Sequence, residues 1–171
     1  MTSAQIKAFC DKQAKRTDLP VLLQKGTHGY GVFANADLAK NQLVAIYTVE
    51  VVPNSFTAPT GHMYDIDLVI NGKLSTTKYG ALTRECLVDE PYENTVPYWG
   101  PFCNEPSDGK RTNVKLIKMR IEKMWGRTFY HVGVRTTKKV EKGTELVWDY
   151  GKHYRREYDT TYHKANVIVL D

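Results

Sequence analysis

The sequence predicts a mostly β fold that begins with one short N-terminal helix. Three observations lead to this prediction. Apolar residues recur at helical spacing only near the N-terminus, the chain after Pro20 breaks into short runs of β-branched and aromatic residues, and Gly, Pro or Asn turns separate those runs. Many short strands with few helices do not fit alternating strand–helix units. The 171 residues suffice for one domain with its own core.

The helix is expected from Thr2 to about Arg16. Thr2 and Gln5 have the spacing of a capping box, in which each side chain bonds the backbone N–H of the other residue. Four residues of this segment fall on one helical face: Ile6, Phe9, Cys10 and Gln13.

The remaining chain is expected to form short strands separated by turns. The predicted strands, in chain order, are residues 21–23, 32–34, 43–52, 63–70, 113–117, 129–136 and 145–150. A Gly-rich loop is expected at 25–31, a polar loop at 54–61 and an irregular stretch at 76–100. Trp125 and Gly126 are expected to join two of the strands as a hairpin.

The net charge of the chain is mildly positive. Lys and Arg outnumber Asp and Glu by 24 to 19, which gives +5 and a pI near 9.0. This balance allows contact with nucleic acid, but no dense basic block marks a dedicated phosphate-binding arm. No apolar stretch is long enough to cross a membrane, and the N-terminus lacks the apolar core of a secretion signal. We expect a nuclear location, with the cytoplasm as the alternative.

The three cysteines, Cys10, Cys86 and Cys103, are widely spaced and form no CxC or CxxC pair. They therefore predict neither a zinc cluster nor a disulfide framework, and no metal site is expected. Free cysteines of this kind are usually small core residues. The nucleophile elbow GxSxG, the Walker loop and HExxH do not occur either.

Three segments carry a more specific signal. Gly29-Tyr30-Gly31 is followed by the β-rich run 44–50. Residues 99–106 read Trp-Gly-Pro-Phe-Cys-Asn-Glu-Pro and are completed by Asn113, and residues 142–151 read Lys-Gly-Thr-Glu-Leu-Val-Trp-Asp-Tyr-Gly. In this order the set resembles the SET-domain protein-lysine methyltransferases, from about Val21 to Tyr150.

The resemblance implies a fold of several small sheets, in which the Asn-containing segment passes beneath the closing strand as a C-terminal pseudoknot. It implies that S-adenosylmethionine (SAM) and a peptide bind on opposite faces, joined by a narrow channel for the target lysine. The expected organisation is an N-terminal helix in residues 1–20, the SET domain in 21–151, and a Tyr-rich tail in 152–171 that closes the channel. The tail tyrosines are Tyr154, Tyr158 and Tyr162.

The resemblance also assigns roles to residues. Those implied to contact SAM are Gly29, Tyr30, Gly31, Tyr64, Phe102, Cys103, Asn104 and Glu105. Those implied to line the lysine channel are Tyr47, Trp148 and Tyr150, with Tyr150 nearest to the transferred methyl group. Methyl transfer is an in-line displacement, so alignment supplies much of the acceleration. A desolvated channel beside a sulfonium lowers the pKa of the lysine, and no carboxylate base is needed.

The chain departs from the family pattern at several positions. Glu105 stands where the family usually has His, and residues 107–112 lengthen the stretch before Asn113. Pro101 replaces the usual Arg and Val49 the usual Gly. The zinc-bearing segments that flank many family members are missing, so the tail is the candidate for closing the channel.

The resulting expectation is a lysine methyltransferase that acts on a protein segment, with histone tails among its candidate substrates. One alternative is a SET-like module that only holds a peptide. A second is a basic nucleic-acid-binding domain, for which the candidate cations are Lys110, Arg111, Lys115, Lys118 and Arg120.

Overall fold

The computed structural model describes residues 1–55, 64–106 and 111–150, and the backbone of 168–170. The fold is mostly β with one N-terminal helix, as predicted. The described elements are α1 (Ser3–Gln13), β1 (Val21–Gly26), β2 (Gly29–Ala34), β3 (Leu43–Pro53), β4 (Ile66–Ile70), β5 (Lys73–Ala81), β6 (Val114–Met124), β7 (Arg127–Thr136) and β8 (Ile168–Leu170). Two single 3-10 turns cover Arg84–Cys86 and Gly100–Phe102.

The predicted capping box opens α1. The Thr2 hydroxyl accepts the Gln5 backbone N–H at 3.2 Å, and the Gln5 side chain accepts the Thr2 N–H at 2.8 Å. The helix ends at Gln13, three residues before the expected end. Beyond Gln13 the turn tightens, because the N–H groups of Lys15 and Arg16 donate to the carbonyls of Lys12 and Gln13, three residues back, at 3.3 and 2.9 Å. The helical face buries its members against the domain core.

The strands form one two-stranded and one six-stranded sheet. The small sheet pairs β1 with β2, and the large sheet has the order β6-β7-β3-β5-β4-β8. All pairs are antiparallel except β4 with β8. The edge strand β8 also approaches β6 at the opposite edge, so the large sheet curls upon itself.

Two predictions about strands are wrong. The Gly-rich segment 25–31 is not a loop, because β1 continues to Gly26 and β2 resumes at Gly29, leaving only two residues between them. The segment 76–81, expected to be irregular, belongs to β5. Most β5 side chains are exposed on both faces, so the strand lacks the apolar alternation that a sequence pattern requires.

The closing segment 145–150 also differs from the predicted strand. Glu145 pairs with Phe33 and Val147 with Asn104 as isolated bridges, so two different partners replace one ladder. Asn113 joins the same segment: its Oδ1 accepts the Val147 N–H at 2.8 Å, and its Nδ2 donates to the Glu145 carbonyl at 2.8 Å. These bonds hold the segment between residues 104 and 113, which is the crossing expected of the pseudoknot.

The three cysteines are free and buried, and burial raises the pKa of Cys10 to about 12. Within the described residues, no group of three or more His, Cys, Asp or Glu side chains is placed to hold a metal ion. Among these described residues, every helix is too short or too polar to span a membrane.

A buried histidine joins three strands of the large sheet. The His131 side chain on β7 places its Nδ1 2.9 Å from Thr48 Oγ1 on β3 and its Nε2 2.8 Å from Glu122 Oε2 on β6. Burial lowers the pKa of His131 below its usual value, and this effect outweighs the opposite effect of Glu122.

Acidification is expected to destabilise the fold through His131. Its pKa is lower in the folded chain than in the unfolded chain, so the unfolded chain binds more protons as the pH falls. The free energy of unfolding should be largest above the unfolded-state pKa of about 6.5 and should decline below it. Urea unfolding across this pH range measures the slope, and His131→Gln should reduce it. Equal slopes for both proteins would contradict the prediction.

Candidate active site

The side-chain amide of Asn104 is held by two acceptors. Its Nδ2 donates to the Tyr30 carbonyl at 3.2 Å and to Glu145 Oε1 at 2.8 Å. Both amide hydrogens are thus occupied, and the two acceptors fix which end of the amide is nitrogen. The Oδ1 of Asn104 therefore faces away from these partners as a hydrogen-bond acceptor.

Gly31 provides the space in which Asn104 and Glu145 meet. A Cβ atom at Gly31 would lie 2.5 Å from Glu145 Oε1 and 3.0 Å from Asn104 Nδ2. A side chain at this position would require the Glu145 carboxylate to shift and the Asn104 amide to move slightly. Glycine therefore lets Asn104 and Glu145 bond each other in the observed geometry.

Helix α1 holds the side chain of Tyr30. The Tyr30 hydroxyl donates to Asp11 Oδ1, and the Lys25 Nζ lies 5.9 Å from the centre of the Tyr30 ring. This hydrogen bond is the main cause that raises the pKa of Tyr30 to about 12. The pKa of the Asp11 carboxyl is lowered, first by Lys7 and then by Tyr30. Tyr30 therefore offers its backbone to the site while its side chain is tied to α1.

The backbone carbonyl of Cys103 accepts hydrogen bonds from two aromatic side chains. The Tyr150 hydroxyl donates to it at 3.0 Å, and the Trp148 indole Nε1 donates to it at 3.0 Å. The thiol of Cys103 is buried, and its pKa is raised by burial. Cys103 therefore serves the site through its carbonyl rather than through its thiol.

Three aromatic rings form a contiguous cluster. The Trp148 ring meets Tyr47 edge-on at 6.3 Å and Tyr150 at 5.1 Å, measured between ring centres. The Tyr47 hydroxyl donates to the Tyr64 carbonyl at 2.7 Å. Tyr47 and Trp148 are buried, whereas Tyr150 is only partly buried. Tyr150 is thus the member of the cluster that is most accessible from outside.

The side chain of Phe102 is buried in the core. Its side chain is 3% exposed and packs between Phe9 of α1, at 6.1 Å, and Tyr64, at 5.8 Å. The ring is therefore part of the core that supports the site. Contacts of Phe102 and Tyr64 with SAM stay predictions.

An open cleft of about 560 Å³ lies beside Glu145. This volume falls within the range of small-molecule sites, which is about 300–1,000 Å³. The lining combines cations, carboxylates and polar groups, among them His28, Glu105, Arg111, Asn113, Lys138 and Glu145. The cleft lies next to the converged strands at Gly31.

A family model for the SET domain matches residues 29–151, more than two thirds of the chain. The chain belongs to the SET-domain family. Among solved structures, a candidate histone methyltransferase from Plasmodium falciparum is 16% identical with a TM-score of 0.49, covering 80% of this chain and 97% of that one. CpSET8 from Cryptosporidium is 20% identical with a TM-score of 0.50, covering 78% and 58%. A search of curated protein sequences finds no match.

These identities are low, so the likeness to the solved structures concerns the fold alone. The members of the SET-domain family are in general SAM-dependent lysine methyltransferases. The specific motifs quoted from the sequence all lie inside the matched range or at its edge.

The fold brings most of the predicted site residues of this SET domain together. Asn104 bonds both Tyr30 and Glu145 beside Gly31. Trp148 and Tyr150 both donate to the Cys103 carbonyl, and the Tyr47 ring packs edge-on against Trp148. Gly29 has a positive φ of 90° at the start of β2 and belongs to the turn. The tail tyrosines lie outside the described residues.

Sequence reasoning missed Glu145 and Asp11. Glu145 orients the Asn104 amide, and Asp11 holds Tyr30. Glu145 lies within the motif of residues 142–151, and this position is the sequence signal that could have identified it. No local pattern marks Asp11, because its partner lies 19 residues away.

Glu105 faces Tyr150 as well as the cleft. The residue is 4% exposed, and its Oε1 accepts the Tyr150 backbone N–H at 3.3 Å. Through this hydrogen bond, Glu105 can position the backbone of Tyr150.

Loss of this acceptor should impair turnover more than cofactor binding. Glu105→Ala is expected to lower kcat by about tenfold, because it removes one hydrogen bond that orients Tyr150. Glu105→Gln keeps an oxygen acceptor and should retain most of the rate. Steady-state kinetics with a SAM titration separate the two effects. A large loss of SAM affinity in Glu105→Gln would instead make the carboxylate a direct cofactor contact.

Proposed function

We propose that this SET domain transfers methyl groups from SAM to lysine side chains of a protein. The observation that carries the proposal is the cluster of Tyr47, Trp148 and Tyr150, in which Trp148 and Tyr150 both donate to the carbonyl of Cys103. The next residue, Asn104, donates to Glu145, whose side chain lines an open cleft. The proposed lysine channel would thus border Cys103, and the proposed cofactor pocket would border the next residue, Asn104.

The residues around Gly31 fit a cationic, amine-bearing cofactor. SAM supplies a methyl group activated on a sulfonium cation, and it also carries an ammonium group. The Oδ1 of Asn104 and the carboxylate of Glu145 are acceptors suited to positive charge.

The aromatic cluster would then orient the target amine and exclude water. The hydrogen bond that the Tyr150 hydroxyl donates to Cys103 fixes the position of its oxygen, and a phenol oxygen can interact with the reacting groups as an acceptor. Burial of Tyr47 and Trp148 lowers the local polarity, which favours the neutral, nucleophilic form of a lysine amine. Alignment of amine and methyl group provides the rest of the acceleration.

The proposed substrate is an extended protein segment that carries a lysine, and histone tails are the first candidates because the family acts on such proteins. The test is incubation of the full chain with radiolabelled SAM, core histones and a cell lysate, followed by mass spectrometry of labelled bands. Calorimetric titration with SAM runs in parallel. Labelled lysine supports the proposal, whereas SAM binding without any label, or no SAM binding, contradicts it.

Trp148 is expected to restrict how many methyl groups are added. Its indole is held between Tyr47 and Tyr150 by the bond to Cys103, so it does not turn away from the cluster. An indole fills more of the channel than a phenyl ring, and its N–H cannot accept a hydrogen bond. The native chain should form mainly monomethyl-lysine, and Trp148→Phe should shift products toward di- and trimethyl-lysine.

A mass-spectrometric time course of the products measures this ladder. Trp99→Phe, which changes a buried indole bonded to Gln13 outside the cluster, is the matched control. Predominant trimethyl-lysine from the native chain would show that the bulk of Trp148 does not limit the channel.

A further inference from the structure

Positive charge is concentrated on one edge of the large sheet. Residues 111–124 contain five basic side chains and one acidic side chain, a net charge of +4, whereas the other 157 residues contain 19 basic and 18 acidic side chains. The basic side chains on strand β6 are Lys115, Lys118, Arg120 and Lys123. All four residues are exposed. Strand β6 itself therefore carries a net charge of +3, out of +5 for the whole protein.

The base of this strand has two cations directly opposite each other. Lys115 on β6 is the cross-strand partner of Arg135 on β7. The Nε of Arg135 is buried and has no hydrogen-bond partner among the described residues. Like charges placed opposite each other in a sheet are destabilising unless something neutralises them. An anion bound beside Lys115 and Arg135 would neutralise this pair of like charges.

The tip of the same hairpin exposes an indole. Trp125 is 80% exposed, with a φ of 50°, and Gly126 follows with a φ of 73°. Such two-residue turns favour Asn-Gly, because the first position also needs a positive φ. A bulky residue there is strained, at a cost of about 1–2 kcal/mol. The turn thus holds a large flat ring in solvent at the expense of local stability.

We propose that the β6–β7 hairpin (residues 114–136) binds single-stranded nucleic acid, with phosphates along β6 and an unpaired base stacked on Trp125. Strand β6 spans about 35 Å at roughly 3.4 Å per residue. This length suits the roughly 4 to 16 nucleotides of known single-strand sites. The proposal is independent of the methyl-transfer reaction.

The chemistry favours a single strand over the other anionic partners. An acidic peptide would satisfy the cations but would leave the indole without a flat partner. A duplex keeps its bases stacked inside, so only the ends could reach the ring. Lysines on an edge strand also discourage sheet-to-sheet aggregation, yet that role needs neither the Lys115–Arg135 pair nor a strained tryptophan.

The tip of the hairpin lies at the end of β6 opposite to the cleft. Strand β6 begins beside Asn113, at the cleft, and its tip lies at the far end, where Arg127 bonds Glu50. Substitutions at the tip can therefore change nucleic-acid binding without touching the residues around Tyr150.

Binding is tested with the full chain and a labelled thymidine oligomer of about 12 nucleotides, read by fluorescence anisotropy. Tryptophan emission is followed in the same titration. Because Trp99 and Trp148 are buried at 0% and 6% exposure, quenching on addition of the oligomer reports on Trp125. Binding that quenches this emission is the expected result. No detectable binding, or binding without quenching, would overturn the proposal.

Two variants separate stacking from charge. Trp125→Asn suits the positive φ of the turn, so the fold should hold or gain stability while affinity falls about 5- to 150-fold. Lys115→Gln with Lys123→Gln should reduce the salt slope of binding by about 1.4, since each neutralised phosphate contributes roughly 0.7. Lys73→Gln with Lys78→Gln, two exposed residues of β5, is the matched control and should leave the slope nearly unchanged.

Competitors identify the ligand class. A duplex of the same length and a poly-glutamate peptide should displace the oligomer only weakly. Equal displacement by either of them, or unchanged affinity in a stably folded Trp125→Asn variant, would reject the single-strand site. Circular dichroism and thermal unfolding of Trp125→Asn establish that it is folded.

Discussion

Tyr150→Phe is expected to lower kcat for methyl transfer by about a hundredfold or more, with little change in the affinity for SAM. The hydroxyl of Tyr150 is held at 3.0 Å from the Cys103 carbonyl, and Tyr150 is the least buried residue of the aromatic cluster. We propose that it orients the amine and the methyl group in the transition state only. Removing an oriented polar group of this kind costs about 10²–10³ in rate.

Single-turnover rates and a calorimetric SAM titration measure the two parts separately. Tyr79→Phe, on β5 and outside the cluster, is the matched control and should keep nearly full activity. A Tyr150→Phe variant that turns over at close to the native rate would exclude Tyr150 as the catalytic residue. A variant that loses SAM affinity instead would place Tyr150 in the cofactor pocket.

Asn104→Ala is expected to weaken SAM binding by about 5- to 150-fold, equivalent to about 1–3 kcal/mol. The two donors of the Asn104 amide are engaged by Tyr30 and Glu145, so its Oδ1 is oriented before any ligand arrives. Alanine removes that acceptor and leaves the Glu145 carboxylate without its amide partner. The loss should appear in the dissociation constant, with a smaller effect on the rate of bound SAM.

Glu145→Gln provides a graded comparison, because the amide oxygen of Gln still accepts the Asn104 N–H while the charge is lost. Its SAM affinity should lie between those of the native chain and Asn104→Ala. Asn54→Ala, whose side chain bonds the backbone of Thr76 far along the sheet, is the control. An unchanged dissociation constant in Asn104→Ala would move the cofactor to another part of the cleft.

The ordered motifs made the family predictable, and strongly patterned elements were predictable too. The capping box of Thr2 and Gln5 and the apolar run of β3 follow from spacing and composition, because local chemistry decides them. Strand β5 was missed because its side chains are mostly exposed on both faces. Its backbone bonds to β3 and β4 define it as a strand, and no residue pattern announces those bonds.

By itself the sequence determined the family, the β-rich class and the identity of the aromatic and amide residues, since those depend on residue type and order. Only the tertiary structure decided how they meet. It placed Glu145 on Asn104, tied Tyr30 to Asp11, and directed Tyr150 and Trp148 to one carbonyl of Cys103. The reason is physical: these partners lie between 19 and 47 residues apart, so their contacts arise from the packing of distant segments.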